Sequence, residues 1–301
     1  MTDLTSSPAI ARVGVVGGGL MGSGIAQVAA QAGLATTVRE LNESLVTRAR
    51  DAIIRSLDKA IAKGKLDAAT RDRALANLTF TTDLADLAAC DVVIEAVVED
   101  LDVKNALWRE LDGVCGAHTF FASNTSSLTI AAMAAASGRA DKLVGLHFFN
   151  PVPLMRLVEV VRTITTSTET FDRAMQLVRL MGKEPIVARD SSGFVVNRLL
   201  IPYMLDAIRA LENGAGTIAD IDAGMQLGAG HPMGPFTLLD FVGLDTVARV
   251  AEVMFDEYRE QRFAPPPLLR RLVLAGHLGK KSGRGFYDHA VDPPVPSNLA
   301  L

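Results

Sequence analysis

From Arg12 onward, short and nearly continuous apolar runs alternate with longer segments in which apolar residues recur every three or four positions. The runs read as buried strands and the periodic segments as amphipathic helices, so their alternation predicts an α/β sheet of parallel, doubly wound strands with helices on both faces. Strands are expected at residues 13–16, 36–39, 79–81, 91–96, 119–122, 143–147, 157–161 and 185–187. Residues 43–77 break the alternation with two long helical patterns separated at Lys63-Gly64-Lys65, and are expected to project as a helical hairpin. After Asp190-Ser191-Ser192-Gly193 the strand signal ends, and residues 194–276 read as helices punctuated by Asn213-Gly214, Gly228-Ala229-Gly230 and His231-Pro232-Met233-Gly234-Pro235. The expected division is a sheet domain over 1–189, an all-α domain over 190–290 and a disordered proline-rich tail over 291–301.

The first strand runs directly into Gly17-Gly18-Gly19-Leu20-Met21-Gly22, a glycine spacing placed between a strand and a helix. Gly17 suits a tight turn, Gly19 lets backbone approach a pyrophosphate, and Gly22 allows close packing of helix on strand. A helix that begins at Leu20 aims its unpaired N–H groups at phosphate, which makes this a Rossmann-type dinucleotide site. The second strand ends in Glu40, about 20 residues on, where a carboxylate receives the ribose hydroxyls. A carboxylate there repels a 2′-phosphate, so NAD is favoured over NADP, although the neighbouring Arg39 is of a kind that accommodates that phosphate.

With 301 residues and 49% apolar composition the chain is long enough for two cores. A net charge of −4 offers no basic field for nucleic acid or anionic lipid, so an anionic substrate needs a local basic patch. Residues 1–11 lack the apolar core of a secretory signal, and no apolar stretch reaches membrane-spanning length. Cys90 and Cys115 have no metal-type or redox-type spacing and read as small, reduced core residues, which suits a cytoplasmic protein.

A nicotinamide enzyme that oxidises an alcohol needs a base for the hydroxyl proton. Of the five histidines, His118, His147, His231, His277 and His289, only His147 ends a strong strand, and open parallel sheets bind ligands at that end. Glu159 stands alone in the apolar run Leu157-Val158-Glu159-Val160-Val161. If its strand neighbours the one ending in His147, the carboxylate can fix the imidazole tautomer and stabilise the imidazolium; otherwise Glu159 is an exposed edge-strand residue.

Two more polar groups sit in apolar or glycine-rich settings. They are Ser126, within Ser123-Asn124-Thr125-Ser126-Ser127, and Asn197, within Gly193-Phe194-Val195-Val196-Asn197-Arg198. Either can bind a reacting oxygen, or the serines can cap a helix at 129–136 while Asn197 closes a helical turn.

These segments, together with His147-Phe148-Phe149-Asn150-Pro151, His231-Pro232-Met233-Gly234-Pro235 and Lys281-Ser282-Gly283-Arg284-Gly285-Phe286-Tyr287, occur in family order over nearly the whole chain. The sequence thereby resembles the 3-hydroxyacyl-CoA dehydrogenase family, nearest its bacterial short-chain members, the 3-hydroxybutyryl-CoA dehydrogenases. The resemblance implies NAD-dependent, reversible oxidation of a (3S)-3-hydroxyacyl-CoA, with His147 and Glu159 as the catalytic pair and Ser126 and Asn197 on the substrate oxygen. It implies that Asn150 positions the strand end, and that Glu99, Lys104 and Asn124 line the nicotinamide half of the cofactor site. Ser56, Lys59, Lys63 and Lys65, in the helical insertion, resemble the segment that meets coenzyme A, although a charged helix face can also be merely solvated.

The family also implies a homodimer through the C-terminal helices, where Met204, Leu205, Ile208, Phe236, Leu238, Leu239 and Phe241 supply either that surface or an ordinary core. Two departures stand out: Glu40 replaces a common aspartate, and Ser192 replaces a common proline. Two rivals share parts of the pattern. A dehydrogenase of small free hydroxy acids needs an arginine clamp for a carboxylate, and a crystallin-like, non-catalytic relative needs no intact polar set.

Overall fold

The computed structural model describes residues 10–299, and the chain divides into two compact units, 1–191 and 192–301. In the first unit the order is β1 (Arg12–Val16), α1 (Leu20–Gln31), β2 (Ala35–Arg39), α2 (Glu43–Ala62), α3 (Ala68–Ala76), β3 (Leu78–Thr81), β4 (Val92–Glu95) and α4 (Leu101–Val114). It continues with β5 (Phe120–Ser123), α5 (Ile130–Ala134), β6 (Leu143–Phe148), β7 (Leu157–Arg162), α6 (Thr168–Leu180) and β8 (Glu184–Arg189). The eight strands form one sheet in the order β3-β2-β1-β4-β5-β6-β7-β8. The strand order reverses between β1 and β4, and the crevice at such a switch point is where doubly wound sheets take their ligands.

Every residue of β4, β5 and β6 is buried, which explains why these strands read as unbroken apolar runs. One expectation fails here: β7 runs antiparallel to β6, although β8 then returns parallel to β7. Only residues 149–156 separate β6 from β7, too few for the helical crossover that a parallel return requires. The insertion forms α2 and α3 but does not stand clear of the sheet domain. α2 sinks Val46, Ala49, Ile53 and Leu57, at helical spacing, and Ala49, Ile53 and Leu57 join the core that also holds Ile25 and Ala26 of α1. Cys90 and Cys115 are buried and unbridged, with burial pushing their thiols up to about 12 and about 11.

The second unit contains α7 (Val196–Glu212), α8 (Ile218–Ala229), α9 (Pro235–Val242), α10 (Leu244–Tyr258) and α11 (Pro267–Leu274), then the short strands β9 (Tyr287–Asp288) and β10 (Val295–Pro296). Two buried carboxylates organise it. Asp222 accepts from the backbone of Phe236 and Thr237 and from the Tyr287 hydroxyl, while Asp240 accepts from the backbone of Phe286 and Tyr287. Met204, Leu205, Ile208, Phe236 and Leu239 are core residues, Leu238 is partly buried, and Phe241 is exposed.

The proline-rich segment also departs from expectation. β10 pairs antiparallel with β9, the Ser297 N–H reaches the Phe286 carbonyl, and Leu299 packs on the helical core. Proline is compatible with so short an edge strand because the missing N–H can face away from the ladder. The last two residues of the expected tail, 300 and 301, lie outside the described residues.

Candidate active site

The glycine-rich turn connects β1 to α1. Gly17 has φ +92°, and a Cβ there would lie 2.7 Å from the Ala96 carbonyl oxygen; a Cβ on Gly22 would lie 1.7 Å from the Gly17 oxygen. Both positions therefore exclude any side chain. Gly19 differs, because nothing lies within 4 Å of where its Cβ would stand. Gly19 is also the N-cap of α1, without a capping side chain and without an acidic residue in the first turn. This is an open, uncapped helix N-terminus suited to a pyrophosphate. Leu20 is exposed beside it and Met21 half-buried. A cleft of about 550 Å³ adjoins the turn, lined among others by Arg39, Glu40, Leu41, Val98 and Val103. The Glu40 carboxylate accepts from the Gly18 N–H at 2.6 Å and the Leu41 N–H at 3.0 Å, so it braces the turn as well as bordering the cleft. These features fit a dinucleotide.

At the C-terminal edge of β4 and β5 a second cluster forms around Glu99. One oxygen, Oε1, accepts from the Thr125 hydroxyl at 2.6 Å, the Ser126 N–H at 3.0 Å and the Ser127 hydroxyl at 3.1 Å. The other lies 3.2 Å from the Lys104 ammonium. Burial pushes the Glu99 carboxyl up, but Lys104, Thr125 and Ser126 more than offset it and hold it below the usual carboxylate range. The serine segment is thus tied to Glu99 and does not cap α5. That helix, shorter than expected, is capped from afar by Asp190, whose oxygens accept the Ile130 and Ala131 N–H groups at 2.7 Å each.

Lys104 is a buried bridge: its side chain is only 1% exposed, and its ammonium sits 2.6 Å from Glu95 and 3.2 Å from Glu99. Glu95 and Ser123 are the residues that sequence reasoning missed. Glu95 is wholly buried, and its second oxygen accepts the Ser123 hydroxyl at 2.6 Å. The available signal was a lone carboxylate in the apolar run Val92-Val93-Ile94-Glu95, the same signal that singled out Glu159.

His147 and Glu159 are direct register partners on β6 and β7, and the His147 Nδ1 lies 2.6 Å from the Glu159 Oε2. The histidine is 6% exposed and the glutamate 0%, so the carboxylate is a desolvated partner for the ring. The Phe149 ring packs 4.5 Å from the imidazole, centroid to centroid. The strand end that carries His147 is secured by Asn124, whose Oδ1 accepts the Phe148 N–H at 3.0 Å, whereas Asn150 is exposed in the following loop.

On the insertion, Ser56 is half-buried on α2, and Lys59, Lys63 and Lys65 are exposed at its far end. In the helical unit, Asn197 lies in the first turn of α7, half-buried.

Two family models divide the chain between them. The 3-hydroxyacyl-CoA dehydrogenase NAD-binding domain matches residues 12–191 and the C-terminal domain of the same family matches residues 193–289. A 3-hydroxybutyryl-CoA dehydrogenase of Mycobacterium tuberculosis is 52% identical over 94% of this chain and all of its own length. Human mitochondrial hydroxyacyl-coenzyme A dehydrogenase is 44% identical over 93% of this chain and 91% of its own. Among solved structures, the (S)-3-hydroxybutyryl-CoA dehydrogenase of Ralstonia eutropha superposes with a TM-score of 0.90 at 43% identity, covering 93% of this chain and 99% of its own. An uncapped dinucleotide turn, a buried histidine-carboxylate couple and two family models that together cover most of the sequence converge on one conclusion: the chain belongs to the 3-hydroxyacyl-CoA dehydrogenase family.

Proposed function

We propose that this protein is an NAD-dependent dehydrogenase that reversibly oxidises short-chain (3S)-3-hydroxyacyl-CoA, with 3-hydroxybutyryl-CoA as its substrate, to the 3-oxoacyl-CoA. The observation that carries the reading is the 2.6 Å contact between His147 Nδ1 and Glu159 Oε2 in a buried strand pair. NAD, when bound, accepts the hydride from carbon 3. Gly17, Gly19 and Gly22 with the first turn of α1 hold its pyrophosphate, and Glu40 meets its ribose, which favours the cofactor without a 2′-phosphate.

The protein's own part of the chemistry is proton movement. With Nδ1–H donated to Glu159, the imidazole lone pair resides on Nε2, the atom that takes the substrate hydroxyl proton. Glu159 then faces an imidazolium and stabilises it in a site from which water is largely excluded. In the reverse direction Nε2 returns that proton to the oxygen of the 3-oxo group. Ser126 and Asn197 donate to the reacting oxygen, and Asn150 and Asn124 steady the strand end and the nicotinamide side. Ser56, Lys59, Lys63 and Lys65 attract the phosphates of coenzyme A, the local basic patch that an overall charge of −4 otherwise denies.

The protein acts as a homodimer, a reading supported by exposed Leu199, Leu227, Phe241 and Leu274 on the helical unit. It works in the cytoplasm; no helix among the described residues is long and apolar enough to cross a membrane, and both thiols are unbridged. The decisive experiment follows NADH absorbance with acetoacetyl-CoA and, separately, with free acetoacetate. Turnover confined to the thioester is expected, and turnover of the free acid alone, or of neither, overturns the reading. Light scattering at the mass of one chain overturns the dimer.

A further inference from the structure

Among the described residues, two carboxylates of the sheet domain are fully buried: Glu159, which the chemistry just described uses, and Glu95, which it does not. It ends β4, in register with Val16 of β1 on one side and Ser123 of β5 on the other, at the centre of the ligand-bearing edge of the sheet. Three donors converge on it there. Oε1 takes the Val97 N–H at 2.8 Å and the Lys104 ammonium at 2.6 Å, and Oε2 takes the Ser123 hydroxyl at 2.6 Å.

From there two routes lead to Ser126. Along one, the Ser123 hydroxyl that Glu95 orients also accepts the Thr125 N–H at 3.3 Å, and the Thr125 hydroxyl in turn accepts the Leu128 N–H at 3.1 Å. Along the other, Lys104 passes from Glu95 to Glu99, whose Oε1 takes the N–H groups of Ser126 and Ser127 and the hydroxyl of Thr125. Both routes close on residues 125–128.

A plain structural role is the competing account, in which Glu95 only pins α4 to β4 through Lys104. Desolvating a carboxylate and an ammonium is costly, and apolar side chains of equal volume often pack as stably as a buried pair. A stability role alone therefore gives no reason for charge at this spot. Geometry does: Glu95 keeps one lysine centred between two carboxylates and keeps one serine hydroxyl facing inward, so that the backbone bearing Ser126 has a single arrangement.

We infer that Glu95 is a positioning residue for Ser126, acting through Ser123 and through the Lys104–Glu99 bridge. The inference rests on the proposed dehydrogenase reading, in which Ser126 meets the reacting oxygen. Displacing a positioned group by about 1 Å can cost ~10²-fold in rate. Glu95→Gln is accordingly expected to lower kcat for acetoacetyl-CoA reduction by about that factor while the KM for NADH changes little, and Glu95→Asp, which restores the charge, is expected to recover part of the loss.

The discriminating measurement is a double-mutant cycle. If Glu95 acts through Ser126, its substitution has little further effect in a Ser126→Ala background, whereas a merely structural residue lowers the rate of that background by the same factor as it lowers wild type. Ser123→Ala leaves the ion bridge intact and supplies the same cycle should Glu95→Gln fail to fold. Independence in both cycles overturns the inference while wild-type turnover leaves the dehydrogenase reading standing. Absence of wild-type turnover with acetoacetyl-CoA overturns both.

Discussion

His147 and Glu159 face one another as a register pair of the β6–β7 ladder, and that pairing, rather than any loop, sets the 2.6 Å between Nδ1 and Oε2. A ring held from its Nδ1 side by a buried anion has both its tautomer and its plane fixed before substrate arrives. His147→Gln is expected to lose several orders of magnitude in kcat yet to bind NADH normally by fluorescence titration. Glu159→Gln keeps the shape but removes the anion, and is expected to cost roughly 10³-fold or more in kcat, as loss of the orienting carboxylate does in histidine-based triads. Near-normal turnover of either variant in single-turnover assays removes the base assignment.

The glycine turn allows a test independent of catalysis. A Cβ at Gly22 would sit 1.7 Å from the Gly17 carbonyl oxygen, a backbone atom with no flexible end to yield. Gly22→Ala should therefore displace α1 from β1 and weaken NADH binding by at least about tenfold, a loss of ~1.4 kcal/mol. Gly19→Ala meets open space and should leave the fold unchanged while still obstructing the pyrophosphate. Calorimetric titration with NADH, alongside thermal melting, separates the two.

Lys63 lies exposed beyond the end of α2, so its charge acts only on what approaches from solvent. Lys63→Ala should raise the KM for acetoacetyl-CoA several-fold with little change in kcat, and added salt should shrink the difference because exposed charges are screened. A thioester that lacks the nucleotide portion of coenzyme A should be turned over equally by wild type and variant. An unchanged KM for the full substrate removes these lysines from the binding surface.

Two pH dependences follow, one from the reaction and one from the fold. Oxidation releases a proton, so its equilibrium should move towards the 3-oxo product as pH rises, and reduction is favoured at lower pH. Glu99 is held below the usual carboxylate range in the fold, so the stability it contributes is complete above its ordinary value of about 4.5 and is lost as pH falls through its lower folded value. The difference in melting temperature between wild type and Glu99→Gln should therefore shrink on acidification from about pH 5 to about pH 3. A constant difference across that range means that Glu99 contributes no charge-dependent stability.

Much of this was legible because local sequence and final structure obey the same constraint. Buried parallel strands leave no room for polar alternation, so β4, β5 and β6 show as unbroken apolar runs, and an isolated Glu159 inside such a run must find a partner. The direction of β7 was encoded instead in the length of the loop before it, a signal that apolar periodicity does not carry. Asp190 capping α5 from 60 residues away and Lys104 bridging two carboxylates were hidden for a different reason: each is a tertiary contact with no fixed spacing along the chain. Glu95 obeyed the same rule as Glu159 and could have been found by applying it twice.

The reversal of β7 makes the reactive couple unusually dependent on counting. Alternate residues of a strand point to opposite faces, so deleting one residue between 157 and 159 would carry residue 159's carboxylate to the far face of the sheet while the ladder could re-form one step along. The product would be a folded protein with its histidine present and its anion gone. An insertion within residues 149–156 would leave the opposition of the two strands intact, because the ladder register rather than the loop's length holds the couple together.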